Sequence, residues 1–464
     1  MDIFDPKIDG IYNTLSHFLT NRDKSVLSSV SRKFMFACNP KYIYRIKTND
    51  IDEALKFPNL VSVNMQDVNE SLEYLAKLTK LQELKLYDYK SINIQPLLSI
   101  SNLRKLNIKT GRIANIKLIS SFVNLEEFHI NGNFIRDISP LSTLINLTTL
   151  ILRSNRIVNI EPISKLFNLR KLNISNNQIV NIEPLNTLVN LQNLNICHNF
   201  IENIEPLTTL INLHKLVIVG NNYKNLKPLT ALVKLKYLDI SMQDLFDDNV
   251  MILPGNTGLH TLSITSSNIV DLSHIYIHVN LRKLDISSNN IVNIEPLSLL
   301  VNLQELDVNT NYIIDCSPLS SIINLHKLDI SYNEIEYIEP LAPLVELREL
   351  NISDNHIVDC SVLSSLVKMQ RLEINDNQIV DCSSLAVLID LVYLDINSNY
   401  IINCSPLSSL VELQKLNISF NEIIDCSPLT SLVNLRSLHM VDLPKNLDTS
   451  PLNSLVKLKS INEF

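Results

Sequence analysis

The chain has 464 residues but only six glycines and no tryptophan. So little glycine nearly excludes phosphate-cradling loops, which need several within one short motif. No run of 18 or more apolar residues occurs, so no membrane-spanning helix is expected. Basic tracts are missing too, and the formal net charge is −8, so nucleic acid is not an expected partner. No G-x-S-x-G, zinc-ribbon or P-loop spacing appears. The pair His274 and His278 has an H-x3-H spacing without a second ligand pair nearby. The expectation is no enzyme, no cofactor and no metal. The first residues, Met1, Asp2, Ile3, Phe4 and Asp5, place acids where a signal peptide carries its basic region, which predicts residence inside the cell, in the cytoplasm.

Cysteine is limited to seven residues, an odd number that leaves at least one unpaired. What is abundant is a period of 22 residues. The segment from Leu169 through Leu172, Ile174, Asn177 and Ile179 has the form L-x-x-L-x-I-x-x-N-x-I. The same frame restarts at Leu81, Leu103, Leu125, Leu147, Leu191, Leu213 and Leu235, slips by two residues to Leu259, and returns at Leu281, Leu303, Leu325, Leu347, Met369, Leu391, Leu413 and Leu435. A weaker unit begins at Leu60 and a truncated one at Leu458. Five cysteines, Cys316, Cys360, Cys382, Cys404 and Cys426, share one position of the frame. Ile fills it elsewhere, as at Ile138, Ile160, Ile182, Ile204, Ile294 and Ile338. They therefore read as buried thiols standing in for Ile. A column of bridges or metal ligands is the alternative, but metals want converging ligands rather than a line.

From about residue 60 to its end the chain resembles the leucine-rich repeat family, in which a period of 20 to 29 residues marks stacked turns. The I-x-P-L-x-x-L return segment resembles the subclass found in phosphatase-regulating repeat proteins and internalins. The expected fold is an α/β solenoid. It is a right-handed superhelix with parallel strands on a concave face and short 3₁₀ turns on a convex face, preceded by a small helical cap. Residues 51–464 would form about 18 repeats, irregular over 235–258. Within one turn, alternation in L-x-x-L-x-I predicts a short strand. The recurrent Asn, as at Asn177 and Asn377, predicts a ladder satisfying backbone groups in both directions. A second Asn column, at Asn146, Asn168, Asn190, Asn302 and Asn324, leads into the next strand. Ser317, Ser405 and Ser427, each followed by proline, read as N-caps with proline at the first helical position.

Outward residues of the strands should form files where a partner binds. The fifth-position file reads Asp285, Asp307, Asp329, Asn351, Glu373, Asp395 and Asn417, and a solvated face is expected for these acids. The third-position file alternates in sign and includes Tyr393. Toward the other end Lys105, Lys109, Arg112, Arg153, Arg156, Arg170 and Lys171 are basic. Val217, Val219 and Tyr237 near the irregular unit, and Tyr332, Tyr393, Tyr400 and Phe420 further on, are outward apolar residues of the kind that anchor interfaces.

Residues 1–50 fall outside the period. Leu27, Val30 and Phe34 lie on one face of a short amphipathic helix. The string from Phe18 through Asp23, Leu27, Val30, Ser31, Arg32 and Phe34 resembles an F-box, without that motif's Leu-Pro opening. The resemblance implies that Leu27, Val30 and Phe34 contact the Skp adaptor of a cullin ubiquitin ligase. A plain cap over the first turn is the competing reading. Residues 42–46 alternate and predict a strand joining this segment to the array. The functional expectation is an intracellular interaction scaffold, in its most concrete form an F-box-like substrate receptor. The alternative is a stand-alone regulator docking on an enzyme such as a phosphatase. An extracellular adhesin fits less well.

Overall fold

The computed structural model describes residues 45–47, 60–66, 72–87, 94–109, 111–243, 258–444 and 447–462. The chain divides into two compact units, Met1–Phe134 and Ile135–Phe464, with the division inside the repeat array. In the first unit, strands Arg45–Lys47, Ser62–Gln66, Glu83–Tyr87, Lys105–Lys109 and Glu127–Asn131 pair in parallel in chain order. The strand expected over 42–46 is thus found at Arg45–Lys47. The second unit runs from strand Thr149–Ile151 to strand Ser460–Asn462, each strand again parallel to the next. Short 3₁₀ turns such as Glu183–Thr187 return the chain between strands.

One turn shows why. Leu281, Leu284, Ile286, Ile291, Ile294, Leu297 and Leu300 are each at most 1% exposed. They occupy positions 1, 4, 6, 11, 14, 17 and 20 of the frame, and full burial of one such side chain stabilises by ~1.5–3 kcal/mol. A coil this narrow has no second layer to satisfy its backbone, so side chains do it. Asn177 accepts the Ile157 N–H of the preceding turn on Oδ1 at 3.0 Å. Its Nδ2 donates to the carbonyls of Leu152, Ile174 and Ser175 at 3.1, 3.0 and 3.2 Å. The second column acts likewise: the Asn168 and Asn302 amides donate to Ile145 O and Val279 O of the turn before, each at 2.9 Å.

The capping expectation needs correction. Ser317, Ser405 and Ser427 are not N-caps but the first residues of 3₁₀ turns, and proline comes second. The cap is made two residues before the Ser. Asp315, Asn403 and Asp425 accept the Ser N–H at 2.8, 2.9 and 2.8 Å. Where the turn opens with Ser, an Asp cap gains a second bond, as from Ser427 Oγ at 2.8 Å. At Asn181, Asn203 and Asn293 the turn opens with Glu and the cap is an amide. An Asp at those three would face a like charge. The Ser317 hydroxyl and N–H hold Asp315 below the usual carboxylate range.

The cysteine column is core, as expected. Cys316, Cys360, Cys382, Cys404 and Cys426 are free and buried. Each sits where its thiol can donate to a carbonyl of the next turn, Cys404 to Asp425 O at 3.1 Å for example. Burial pushes the thiols of Cys316, Cys382 and Cys404 up to about 12. His278 is fully buried in a position held by Leu in most turns. The longer unit after Leu235 leaves the strands in register, with Tyr237, Leu238 and Asp239 facing Thr261, Leu262 and Ser263. Its extra residues therefore do not interrupt the ladder of strands.

Candidate protein-binding face

In the second unit the outward file at the fifth position is continuous. Asp285 faces Asp307, then follow Asp329, Asn351, Glu373, Asp395 and Asn417, each opposite the next. These side chains are not simply solvated, and that expectation is corrected: all are half-buried. Most of them bond back to the N–H two residues on. Asp285 takes Ser287 N–H at 3.2 Å, Asp307 takes Asn309 N–H at 3.2 Å, Asp329 takes Ser331 N–H at 3.0 Å and Asp395 takes Asn397 N–H at 3.1 Å. Asn351 and Asn417 make the same bond to Ser353 and Ser419. The bond closes the strand through an oxygen acceptor and needs no charge. Burial pushes the Asp307 carboxyl up to about 6. The N–H of Asn309 opposes this, and the charges of Asp329 and Asp285 add to it.

Glu373 departs from the pattern and pairs with Arg371 at 2.7 Å. Arg371 also lies over the ring of its strand neighbour Tyr393, 3.7 Å from the centroid. Lys215 sits over Tyr237 in the same way at 3.9 Å. The third-position file is tied up further by Lys283 with Glu305 at 2.6 Å and Lys327 with Glu349 at 3.2 Å. Val217 and Tyr237 lie half-buried on neighbouring strands, and Val219 is half-buried just past the strand end. The Thr261 strand separates them from the acidic file. Tyr400 is exposed beyond its strand, not on it. The capping acids and amides, and the exposed Tyr312, were missed from sequence. Their signal was a pairing of residue types at fixed offsets, not any single residue.

In the first unit, strands Glu83–Tyr87, Lys105–Lys109 and Glu127–Asn131 floor a shallow cavity of about 240 Å³. Its charges are mutually neutralised: Lys85 pairs with Glu83 at 2.7 Å, and Lys105 pairs with Glu127. Lys105 is therefore not the free cation that the basic reading assumed. Leu27, Val30 and Phe34 lie outside the described residues. Among the described residues no group of three or more His, Cys, Asp and Glu is placed to hold a metal ion. No helix there is long and apolar enough to cross a membrane.

The family model for leucine-rich repeats in two copies matches residues 145–187, 279–321 and 323–365. None of the curated proteins matches the chain. Among solved structures, an internalin of Listeria monocytogenes is 28% identical, with 74% of this chain and 88% of that chain covered and a TM-score of 0.50. A leucine-rich repeat protein of Leptospira interrogans is 21% identical, with 90% and 99% covered and a TM-score of 0.65. The Arabidopsis receptor kinase HAESA, solved with the peptide hormone IDA and the co-receptor SERK1, is 18% identical, with 91% and 78% covered and a TM-score of 0.63. The frame, the Asn ladder, the parallel strands and these matches agree: the chain carries leucine-rich repeats and has the leucine-rich repeat fold.

Proposed function

We propose that the strand face of the second unit binds a protein, and that the chain works inside the cell as a non-catalytic scaffold. The leucine-rich repeat fold is in general a binding scaffold, and HAESA is a structural neighbour solved with a peptide and a protein on it. The observation that carries the reading is the interchange of Asp and Asn in the fifth-position file. Asn351 and Asn417 close their strands as well as Asp307, Asp329 and Asp395 do. Closing the strand therefore does not need the negative charges, which repel one another along the ladder. A charged partner gives them a use. The triple substitution Asp307→Asn, Asp329→Asn and Asp395→Asn keeps the oxygen that closes each strand, gives up the second oxygen that accepts from the Asn351 and Asn417 amides, and removes three charges. It should leave the full chain folded and abolish capture of the partner that co-purifies with it. A triple variant that retains its partner would move the binding site elsewhere.

A second reading concerns residues 1–50, whose F-box-like spacing supports recruitment of the Skp adaptor through Leu27, Val30 and Phe34. The array would then present a substrate to a cullin ligase. Purified Skp adaptor mixed with the full chain tests it, with a chain lacking residues 1–50 as control. A folded full chain that ignores the adaptor leaves the scaffold reading standing and ends the ligase reading.

A further inference from the structure

Beyond the strand ends of the second unit the backbone takes a conformation that most side chains avoid. The eighth residue of the turns from Ser154 to Asp442 has φ between 49° and 61°. Most turns place Gly, Ser, Asn or Asp there, which tolerate the left-handed region. Tyr332 and Phe420, like Met242 and Thr310, do not suit it, yet adopt φ of 52° and 54°. Neither gains burial in exchange, being 58% and 51% exposed. Burial therefore does not account for them.

Each has an aromatic companion on the preceding turn, twenty residues earlier. Tyr312 and Tyr400 stand at the tenth position, 54% and 53% exposed. Asn311 N–H bonds the Tyr332 carbonyl at 3.2 Å, which brings the first pair of turns together beside these residues. Ser398 N–H to Ser419 O at 3.0 Å, with Ile401 N–H to Asn421 Oδ1 at 3.0 Å, does so for the second. The pairs are four turns apart, or about 19 Å at the usual strand spacing. From the turn of Tyr332 to that of Phe420, positions five to ten hold Asp329, Glu334, Asp354, Glu373, Asp376, Asp395 and Glu422 and no Lys or Arg. Of these acids only Glu373, with Arg371 at 2.7 Å, has a Lys or Arg partner, and Glu334 lies 2.9 Å from His356 Nε2. The Tyr332 hydroxyl bonds Asp354.

We propose that this strip is the docking surface for a basic, extended protein segment, with two apolar side chains seated on the aromatic pairs and Lys or Arg between them facing the acids. An extended chain crosses about 19 Å in about six residues, which sets the spacing of the two anchors. Apolar anchors flanking a charged stretch give affinity at the ends and orientation between them. The chain itself shows the affinity of such rings for cations, in Arg371 over Tyr393. The inference rests on the strand-face reading above and deepens it by naming the partner's chemistry.

The probe is a fluorescent synthetic peptide with two Phe six positions apart and alternating Lys and Arg between them, titrated into the full chain at low and high salt. Binding that weakens with salt is expected. The double variant Tyr332→Asn and Phe420→Asn should bind at least tenfold more weakly. It should also melt at the same or a higher temperature, because Asn suits the left-handed backbone. Peptides with both Phe replaced by Ala, or with the basic residues replaced by Glu, should not bind. The inference is overturned if the wild-type chain ignores the peptide, if the double variant binds it equally, or if that variant melts lower. A wild-type dimer that the double variant renders monomeric would also overturn it, by seating a second copy of the chain on the strip. If the Asp307, Asp329 and Asp395 triple variant loses its co-purifying partner while the aromatic variant keeps the peptide, the strand-face reading survives and this one falls. If only the aromatic variant fails, the segment is held by the aromatic pairs and the remaining acids of the strip, and Asp307, Asp329 and Asp395 do not hold it.

Discussion

Replacing Asn377 by Ala tests what holds the turns together. The side chain makes four bonds: Oδ1 accepts Ile357 N–H at 3.0 Å, and Nδ2 donates to Ile352 O, Ile374 O and Asn375 O at 3.0, 3.3 and 3.1 Å. It is only 7% exposed, so water does not readily replace these partners. Ala strands at least one buried N–H and one buried carbonyl. Each unsatisfied group costs ~1–3 kcal/mol, so the substitution should destabilise by ~2–6 kcal/mol, toward the lower end if a water enters the space left behind. Urea denaturation of the full chain measures the total, and amide exchange at Ile357 reports the local loss. Because each turn touches only its neighbours, the defect should appear first as faster exchange on the two adjoining turns. Gln378→Ala, one residue on and exposed, is the control. Equal effects at Asn377 and Gln378, or unchanged exchange at Ile357, would show that the ladder is not what holds the coil.

Three further outcomes follow from the same geometry. Asp307, with its carboxyl raised to about 6 from 3.8, binds its proton more tightly folded than unfolded, so its contribution makes the chain lose stability as pH rises from about 4 to about 6. Asp307→Asn should flatten that part of the melting-temperature profile and raise the melting temperature at pH 7; an unchanged profile refutes the burial argument. Tyr223 is 1% exposed, and its hydroxyl has no hydrogen-bond partner among the described residues. Tyr223→Phe should therefore stabilise by ~1–3 kcal/mol, seen as a higher denaturant midpoint at constant slope, and a lower midpoint would mean the hydroxyl is satisfied. Iodoacetamide at pH 8 should label the half-buried Cys197 before Cys316, Cys382 or Cys404, whose burial keeps them as thiols. Peptide mapping that finds those three modified first in folded protein would contradict this.

The core was legible because its rule is carried by single residues. A Leu at position 1, an Ile at position 6 or an Asn at position 9 announces its role whatever surrounds it. Asn177 and Asn168 could thus be assigned to the two ladders from spacing alone. The caps were not legible because their rule is a relation. Asp315 looks like any surface acid until Ser317 is seen to donate to it twice. The left-handed eighth position was hidden for a similar reason: only Gly132 and Gly220 among these residues advertise it, and the other turns force the same backbone on other side chains. At Gly220 a side chain would also collide, since an added Cβ would lie 2.6 Å from His198 Nδ1.

The same distinction separates the parts of the outer surface that report on folding from those that report on a partner. In a solenoid an outward residue meets its own turn and the two beside it, so few constraints act on it. A residue that obeys those local constraints carries no further information. Lys327 beside Glu349 is such a case, satisfied by its neighbour. A residue that violates them at a cost does carry information. Tyr332 and Phe420 occupy a backbone region worth ~1–3 kcal/mol against a bulky side chain, without burial in return. Asp307 holds a carboxylate between two others where Asn would close the strand equally well. Both costs fall on one side of one stretch of turns, the side that carries Asp329, Asp354 and Asp376. Two independent departures from what the fold prefers, one in backbone and one in charge, converge on the surface where the binding reading places its partner.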